Sequence, residues 1–336
     1  MHVFVTGATG FIGLHTVLAL QAAGHTVRLG VRNREKLDAL CKRYEVDCSD
    51  AHVGDVADAA AMDEALAGCD ALVHTAALVS LDPADADAMY RTNVTGTRIV
   101  MERAIAQGLR AIVHVSSAAA LFNPALAIIN EQTPVATATT PYARSKAAAD
   151  QFARQLLDQG APIAITYPTG VIGPQDPGSS EGNQSIEFIL RRCHIHTSSG
   201  VQVIDVRDLA QVHVGLLEAA LQGPYLAAGH FREWRALGWS LEQVTAQKLR
   251  KIPVPGPALR SVGRLMDVVS RVRPVDLPIT AEAMDLATRW VFCDDRKLRR
   301  ELGFDYRPLE QTLADTIHWM ASNEVVPARW ARHLRG

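Results

Sequence analysis

From its first residue the chain alternates short β-branched runs with longer segments whose apolar residues recur every three or four positions. "HVFVTG" (2–7) has strand length and ends at a glycine; "FIGLHTVLALQAAG" (11–24) has helical spacing and a glycine stop. "HTVRLGVR" then precedes "NREKLDALCKR", and a weak third strand near "DAHVG" precedes "VADAAAMDEALAG". "CDALVHTAA" leads into the long helix "ADADAMYRTNVTGTRIVMERAIAQG", and "LRAIVHVSS" into "PYARSKAAADQFARQLLDQG". "APIAITYPTGVIGP" is a sixth strand running into a Gly/Pro loop. Regular strand–helix alternation predicts an α/β fold, a doubly wound parallel sheet with helices on both faces.

The rhythm breaks after Gly173, where "PQDPGSSEGNQS" reads as a turn-rich loop. "VQVIDVRDLAQVHVGLLEAALQG" restores one strand–helix pair, and proline-punctuated helices follow. We therefore expect a sheet domain over 1–170 plus 200–222. A smaller, mostly helical C-terminal lobe is expected over 171–199 and 223–336.

Composition narrows the function classes. A chain of 336 residues with 48% hydrophobic and 21% charged positions is ordinary for a globular protein. A net charge of −2 provides no basic field, so no nucleic-acid partner is expected. The longest apolar-looking stretch (111–129) is broken by His114, Ser116, Ser117, Asn123 and Pro124, so no membrane span is expected. Met1 is not followed by a basic leader. Five cysteines (41, 48, 69, 193, 293) form no C-x-x-C, which predicts neither a disulfide scaffold nor an oxidising compartment; a cytoplasmic setting is expected. "CHIH" (193–196) lacks a partner cluster, so no metal site is expected.

Candidate chemistry begins at "TGATGFIG". Gly7, Gly10 and Gly13 close the first strand and open the first helix, where glycines let backbone N–H groups approach a pyrophosphate at the positive helix end. Their G-x-x-G-x-x-G spacing differs by one residue from the dinucleotide fingerprint, and the strand–turn–helix context predicts a Rossmann-type nucleotide site. An acidic residue near the end of the second strand normally binds the adenosine ribose. Here "GVRNRE" offers Arg32 instead, nineteen residues after Gly13, with no acid before Glu35. A guanidinium there suits a 2′-phosphate, which favours NADP over NAD. Asp55 in "VGDVAD" either receives the adenine amino group or caps a helix start.

In "PYARSK" Tyr142 lies one helical turn ahead of Lys146, so the two polar ends share a face, and Pro141 suits a first turn. The spacing alone is only suggestive, since chance yields about 0.1 such pairs in this composition.

The ordered set is more specific. "TGATGFIG", "GDVAD" (54–58), "HTAA" (74–77), "NVTGT" (93–97), "VSSA" (115–118), "YARSK" (142–146), "YPTGVIGP" and "DVRDLA" together resemble the extended short-chain dehydrogenase/reductases, the NAD-dependent epimerase/dehydratase superfamily, to about residue 210. Within it the chain looks most like the dihydroflavonol reductase and 3β-hydroxysteroid dehydrogenase branch.

The resemblance implies that Tyr142 is the general acid/base and that Lys146 tunes it and holds the nicotinamide ribose. A free phenol titrates near 10, and a neighbouring ammonium favours phenolate. It also implies that Ser117 binds the substrate oxygen, with Ser116 the competing assignment, and that Asn93 props the site. Cofactor contacts are implied for Thr9, Phe11 and Ile12 in the glycine turn, for Val56, Ala76 and Ala77, and for Pro168, Thr169 and Val171. Homodimers are implied through the helices of 84–107 and 141–160, where Ala147, Ala148 and Ala149 permit close approach.

Departures from the family pattern shape the expected reaction. Ala118 and Ala119 follow Ser117 where sugar-nucleotide dehydratases carry an acidic pair, and "YPTGVIGP" lacks the Arg and Asn usual in epimerases. The expected activity interconverts a ketone or aldehyde with an alcohol; its rivals are a sugar-nucleotide epimerase and a non-catalytic nucleotide sensor. The substrate is expected to be largely apolar, contacted by "ALVSL" (77–81), Leu121–Phe122 and "PALAII" (124–129). Arg191 and Arg192 are the cations that could instead meet a diphosphate.

Overall fold

The computed structural model describes residues 1–80, 83–137, 140–269, 280–289 and 291–334. Leu81 of the expected apolar loop lies outside them. Seven strands form one all-parallel sheet: β1 (His2–Thr6), β2 (Thr26–Val31), β3 (Ala51–Val53), β4 (Ala71–His74), β5 (Ala111–Val115), β6 (Ile163–Pro168) and β7 (Gly223–Ala227). Their order is β3-β2-β1-β4-β5-β6-β7. The order reverses between β1 and β4, and in such sheets a ligand crevice opens outside the carboxyl ends of the strands there.

Alternation along each strand feeds two cores. Val3 and Val5 of β1 face one side and Phe4 the other, all fully buried. On the Val side pack α1 (Phe11–Ala22), α2 (Arg34–Tyr44) and α6 (Val206–Glu218), through Leu14, Leu37 and Leu216. On the Phe side pack α3 (Ala59–Leu66), α4 (Ala86–Ala106) and α5 (Pro141–Asp158), through Met62, Met101 and Ala153. The α4 segment is not uniform: Arg91–Gly96 in its middle is a π-helix. Such widened turns are frequent at functional sites.

Two expectations about the lobe change. The strand Gly200–Asp205 does not return to the main sheet; it is central in a separate three-stranded sheet, between Gly170–Ile172 and His230–Glu233. Gly223–Ala227, placed in the lobe by the break in rhythm, is the seventh strand of the main sheet beside β6. Its Gly and Pro disguise a strand because an edge position tolerates both. A third core, including Ile172, Ile186, Leu237, Leu241, Leu313 and Ile317, joins the small sheet to the lobe helices.

Cys41 and Cys48 form a disulfide, contrary to the expectation from cysteine count. Glu45, in the left-handed conformation (φ 54°), turns the chain back after α2 and brings the two Cα atoms to 6.2 Å. Of the three alanines expected to permit close helix approach, Ala147 and Ala149 are buried within the chain and Ala148 is partly accessible.

Candidate functional site

Gly7 has φ +68°, and a Cβ there would lie 2.9 Å from the Ala76 backbone. A Cβ on Gly13 would lie 2.1 Å from the Gly7 carbonyl oxygen, so the turn admits no side chain at either position. Gly10, exposed, is the N-cap of α1 with no side-chain cap, and no acidic residue occupies the first turn. The first-turn amides of Phe11, Ile12 and Gly13 therefore lack intrahelical acceptors and lie at a positive helix end. Thr9 and Ile12 are partly accessible, while Phe11 is buried edge-on against His15, with ring centroids 5.5 Å apart.

Arg32 follows β2, is exposed, and forms no ion pair among the described residues. Asn33 next to it caps α2 by accepting the Lys36 amide at 2.8 Å. Asp55 is not the helix cap; Asp58 is, accepting from the Ala60 and Ala61 amides. Asp55 instead accepts the Ala57 amide and pairs with Arg91 of the π segment at 2.9 Å. Val56 is buried beneath Gly96, where an added Cβ would meet its side chain at 2.7 Å.

Sequence reasoning missed a polar layer under the turn. Thr97 Oγ1 donates to the Asn93 carbonyl at 2.6 Å, so its bond to His74 Nε2 at 3.0 Å is one it accepts. His74 Nδ1 then accepts from Thr6 Oγ1 at 2.8 Å, and Thr6 Oγ1 accepts the Ala76 amide at 3.2 Å. This chain of bonds fixes the neutral Nε2–H tautomer, and burial lowers the His74 pKa to about 3. No periodicity announces it, because each member reads as an ordinary strand or helix residue. Ala77, by contrast, is exposed.

Asn93 is buried, not a solvated helical side chain. Its Oδ1 accepts the Leu78 amide at 2.7 Å, and its Nδ2 donates to the Leu78 carbonyl and to Ser145 Oγ. Ser145 Oγ in turn donates to the Tyr142 carbonyl at 2.7 Å. Asn93 thus joins the loop after β4 to the first turn of α5.

That helix starts at Thr140, whose Oγ1 caps the Ala143 amide, with Pro141 in the first turn. Tyr142 is partly accessible. Lys146 is buried, its Nζ donating to the Val115 carbonyl at 3.5 Å. Burial lowers its pKa to about 8, against an opposing pull from Asp150. Ser117, partly accessible, accepts the Ala119 amide at 3.2 Å and caps the short 3-10 turn Ala118–Leu121. Ser116 is 3% exposed and faces the buried Asp150 carboxyl of α5, which leaves Ser117 as the more accessible of the two hydroxyls.

At the end of β6, Pro168 is buried and the Thr169 hydroxyl donates to the Ala228 carbonyl at 2.7 Å. Val171 lies in the small sheet opposite Ile204. The expected apolar lining divides: Leu121 and Ile129 are core residues, whereas Val79, Leu126 and Ile128 are exposed. Arg191 is committed to Glu187 and to the Val325 carbonyl; Arg192 is exposed. In the 193–196 stretch, His194 Nε2 meets the Trp234 carbonyl at 2.6 Å and the ring stacks on His196.

Comparison with known proteins places this geometry. The model of the "NAD dependent epimerase/dehydratase family" matches residues 3–226. A Synechocystis protein that carries the provisional name dihydroflavonol 4-reductase is 30% identical, covering 96% of this chain and 95% of its own. A ketoreductase of Stigmatella aurantiaca, named for a farnesylated dihydroquinoline oxide, is 29% identical over 94% and 96%. The UDP-glucose 4-epimerase of Bacillus subtilis is 30% identical over 96% and 98%. The crystal structure of gox2253 superposes with a TM-score of 0.80 at 27% identity, covering 96% and 98%.

Proposed function

Because the chain belongs to the NAD dependent epimerase/dehydratase family, whose relatives here are reductases and epimerases, we propose that it is an NADP-dependent reductase of apolar ketones or aldehydes. The observation that carries this reading is the placement of Lys146. Its buried amine is held at the end of β5, one turn after Tyr142 and two residues before the Ser117 position along that strand. NADPH, when bound, supplies the hydride. Ser117 orients and polarises the carbonyl oxygen, and the Tyr142 phenol delivers the proton that makes it a hydroxyl. The Lys146 cation stabilises the phenolate left behind until a solvent proton restores it. The glycine turn and the first-turn amides would hold the pyrophosphate, since no side chain fits between them. Arg32, exposed and without an ion pair among the described residues, supports the 2′-phosphate and therefore NADP.

Apolar selectivity rests on Val79 and Leu126, exposed on the loops after β4 and Ser117, and on Ile128, exposed in the short strand Ile128–Ile129. A diphosphate would need cations, and Arg191 is already engaged. The epimerase reading keeps support from the Bacillus subtilis relative. Titrating NADPH, NADH, aryl and isoprenoid ketones, and UDP-sugars against the protein decides between them. NADPH should bind more tightly than NADH, and Arg32→Ala should narrow that gap by about 1–3 kcal/mol. Equal affinities refute the NADP assignment; tight UDP-sugar binding with no ketone turnover promotes the epimerase.

A further inference from the structure

Beyond Lys146 the same face of α5 continues with Asp150 and then Arg154, again four residues apart. On a solvated helix such a row of alternating charges contributes little. Here it is enclosed: Lys146 is 7% exposed and Asp150 0%. Resting on the reading of Tyr142 and Lys146 given above, we propose that Asp150 is a positioning residue, the buried counter-charge that keeps Lys146 protonated and so sets the pH range over which Tyr142 exchanges its proton.

The two carboxylate oxygens are used differently. Oδ2 accepts from Arg154 Nε at 3.0 Å, and the same Nε reaches the Tyr167 hydroxyl at 3.0 Å, with the guanidinium 5.4 Å above the Tyr167 ring. Oδ1 is buried and accepts no hydrogen bond, and the Ser116 hydroxyl facing this carboxyl is also buried without one. Arg154 thus holds one end of the carboxylate on the far side of the helix turn. Oδ1 is left outside that ion pair, so the carboxylate is not closed on Arg154 alone, and Lys146 lies one turn earlier on the same buried face of α5, within the reach of its charge.

The remaining groups around Lys146 offer no substitute. From β4 and β5 come His74 and His114, imidazoles that burial keeps neutral. From β6 comes the Tyr167 phenol, whose titration burial drives far upward. Burial works against the ammonium, and Asp150 is the group that works for it. Burial raises the pKa of the Asp150 carboxyl, and the Arg154 cation is the largest of the influences that oppose the rise; Tyr167 and Ser116 add to that opposition. Removing the carboxylate must therefore let Lys146 lose its proton at lower pH.

The test is the pH dependence of two quantities in the full-length protein, NADPH affinity by fluorescence titration and kcat/KM for ketone reduction, between about pH 5.5 and 9.5. In Asp150→Asn both alkaline breaks should move down by about one unit, the scale of a nearby opposite charge. At pH 6, where Lys146 is protonated in either protein, affinity should stay within about twofold of the parent. Asp150→Glu, which keeps the charge, should restore the break. A uniform loss at every pH with the breaks unmoved overturns the proposal, because that is what a packing role produces. Asp150→Ser, smaller and open to water, is read the same way if the Asn variant does not fold; failure of both to fold at pH 6 also overturns it. If the parent turns over no ketone, the reductase reading falls while the affinity break still reports on Asp150.

Discussion

The glycine turn and the lobe differ in how far along the chain their contacts reach. The turn closes on itself: the Gly10 amide bonds the Gly7 carbonyl and the Leu14 amide the Gly10 carbonyl. The lobe is held by partners far apart in sequence. Arg307 grips Asp208 across 99 residues, Gln202 bonds the Cys293 backbone across 91, and Arg191 reaches Val325 across 134. A site made from neighbours in sequence is specified by motif. One made from distant partners is specified by the whole fold, and loop-closure entropy must be offset before its contacts form. The chemistry should therefore reside in the sheet half, and the lobe should govern what is admitted to it.

The strongest challenge to that division is removal of one oxygen atom. Tyr142→Phe should lower kcat by about 10²–10⁴-fold, the range for a lost general acid, and leave NADPH affinity within about threefold. Steady-state kinetics and a cofactor titration on the same preparation measure both. Near-normal turnover would mean that a group other than Tyr142 delivers the proton.

Legibility in the sequence follows the same line. β1, the glycine turn and α1 were visible because strand length, glycine spacing and helical period are local signals. The start of α5 was visible for the same reason, with Pro141 in its first turn and Thr140 as its cap. The Thr6–His74–Thr97–Asn93 layer was invisible, since its members come from β1, β4 and α4 and meet only when the sheet is assembled. β7 was misplaced because Gly223 and Pro224 carry turn chemistry, and only its pairing with β6 makes it a strand. Asp150 carries no local signal at all, because only the packing of α5 in the assembled fold removes its water.

The lobe can be loosened without touching the cofactor site. Arg307 donates to Asp208 through Nε at 2.7 Å and through its backbone amide at 2.9 Å. Asp208 is 5% exposed in its side chain and Arg307 24%. Arg307→Ala leaves a buried carboxylate half-satisfied and should cost about 2–3 kcal/mol, somewhat below a fully enclosed pair because the guanidinium retains water. All five tryptophans (234, 239, 290, 319, 330) lie beyond residue 233, so intrinsic fluorescence reports the lobe. The expected result is an earlier urea transition by fluorescence, a raised KM for the ketone and an unchanged NADPH affinity. A parallel loss of cofactor binding would show the halves to be one cooperative unit.

The smallest effect probes the floor of the sheet half. His114 is 3% exposed, neither ring nitrogen has a hydrogen-bond partner, and the ring stacks on His74 with centroids 5.6 Å apart. Burial holds its pKa well below the ordinary value, as it lowers those of His74 and His213, each to about 3. These rings stay neutral in the folded protein while the unfolded chain takes up their protons below about pH 6.5. Their contribution to stability is thus complete above that pH and is lost as pH falls toward the folded-state values, by up to about 1.4 kcal/mol per unit for each ring. His114→Leu removes one of these terms. At pH 7.5 the variant should lie within about 1 kcal/mol of the parent, because the lost imidazole made no hydrogen bond and an aliphatic side chain suits the site. Between pH 6 and 5 it should lose stability less steeply, by about 1 kcal/mol per unit. Urea midpoints followed by far-UV circular dichroism at pH 7.5, 6 and 5 measure the slope. Parallel pH curves for the two proteins would mean that His114 titrates normally in the folded state, and the floor of the site would then be open to water.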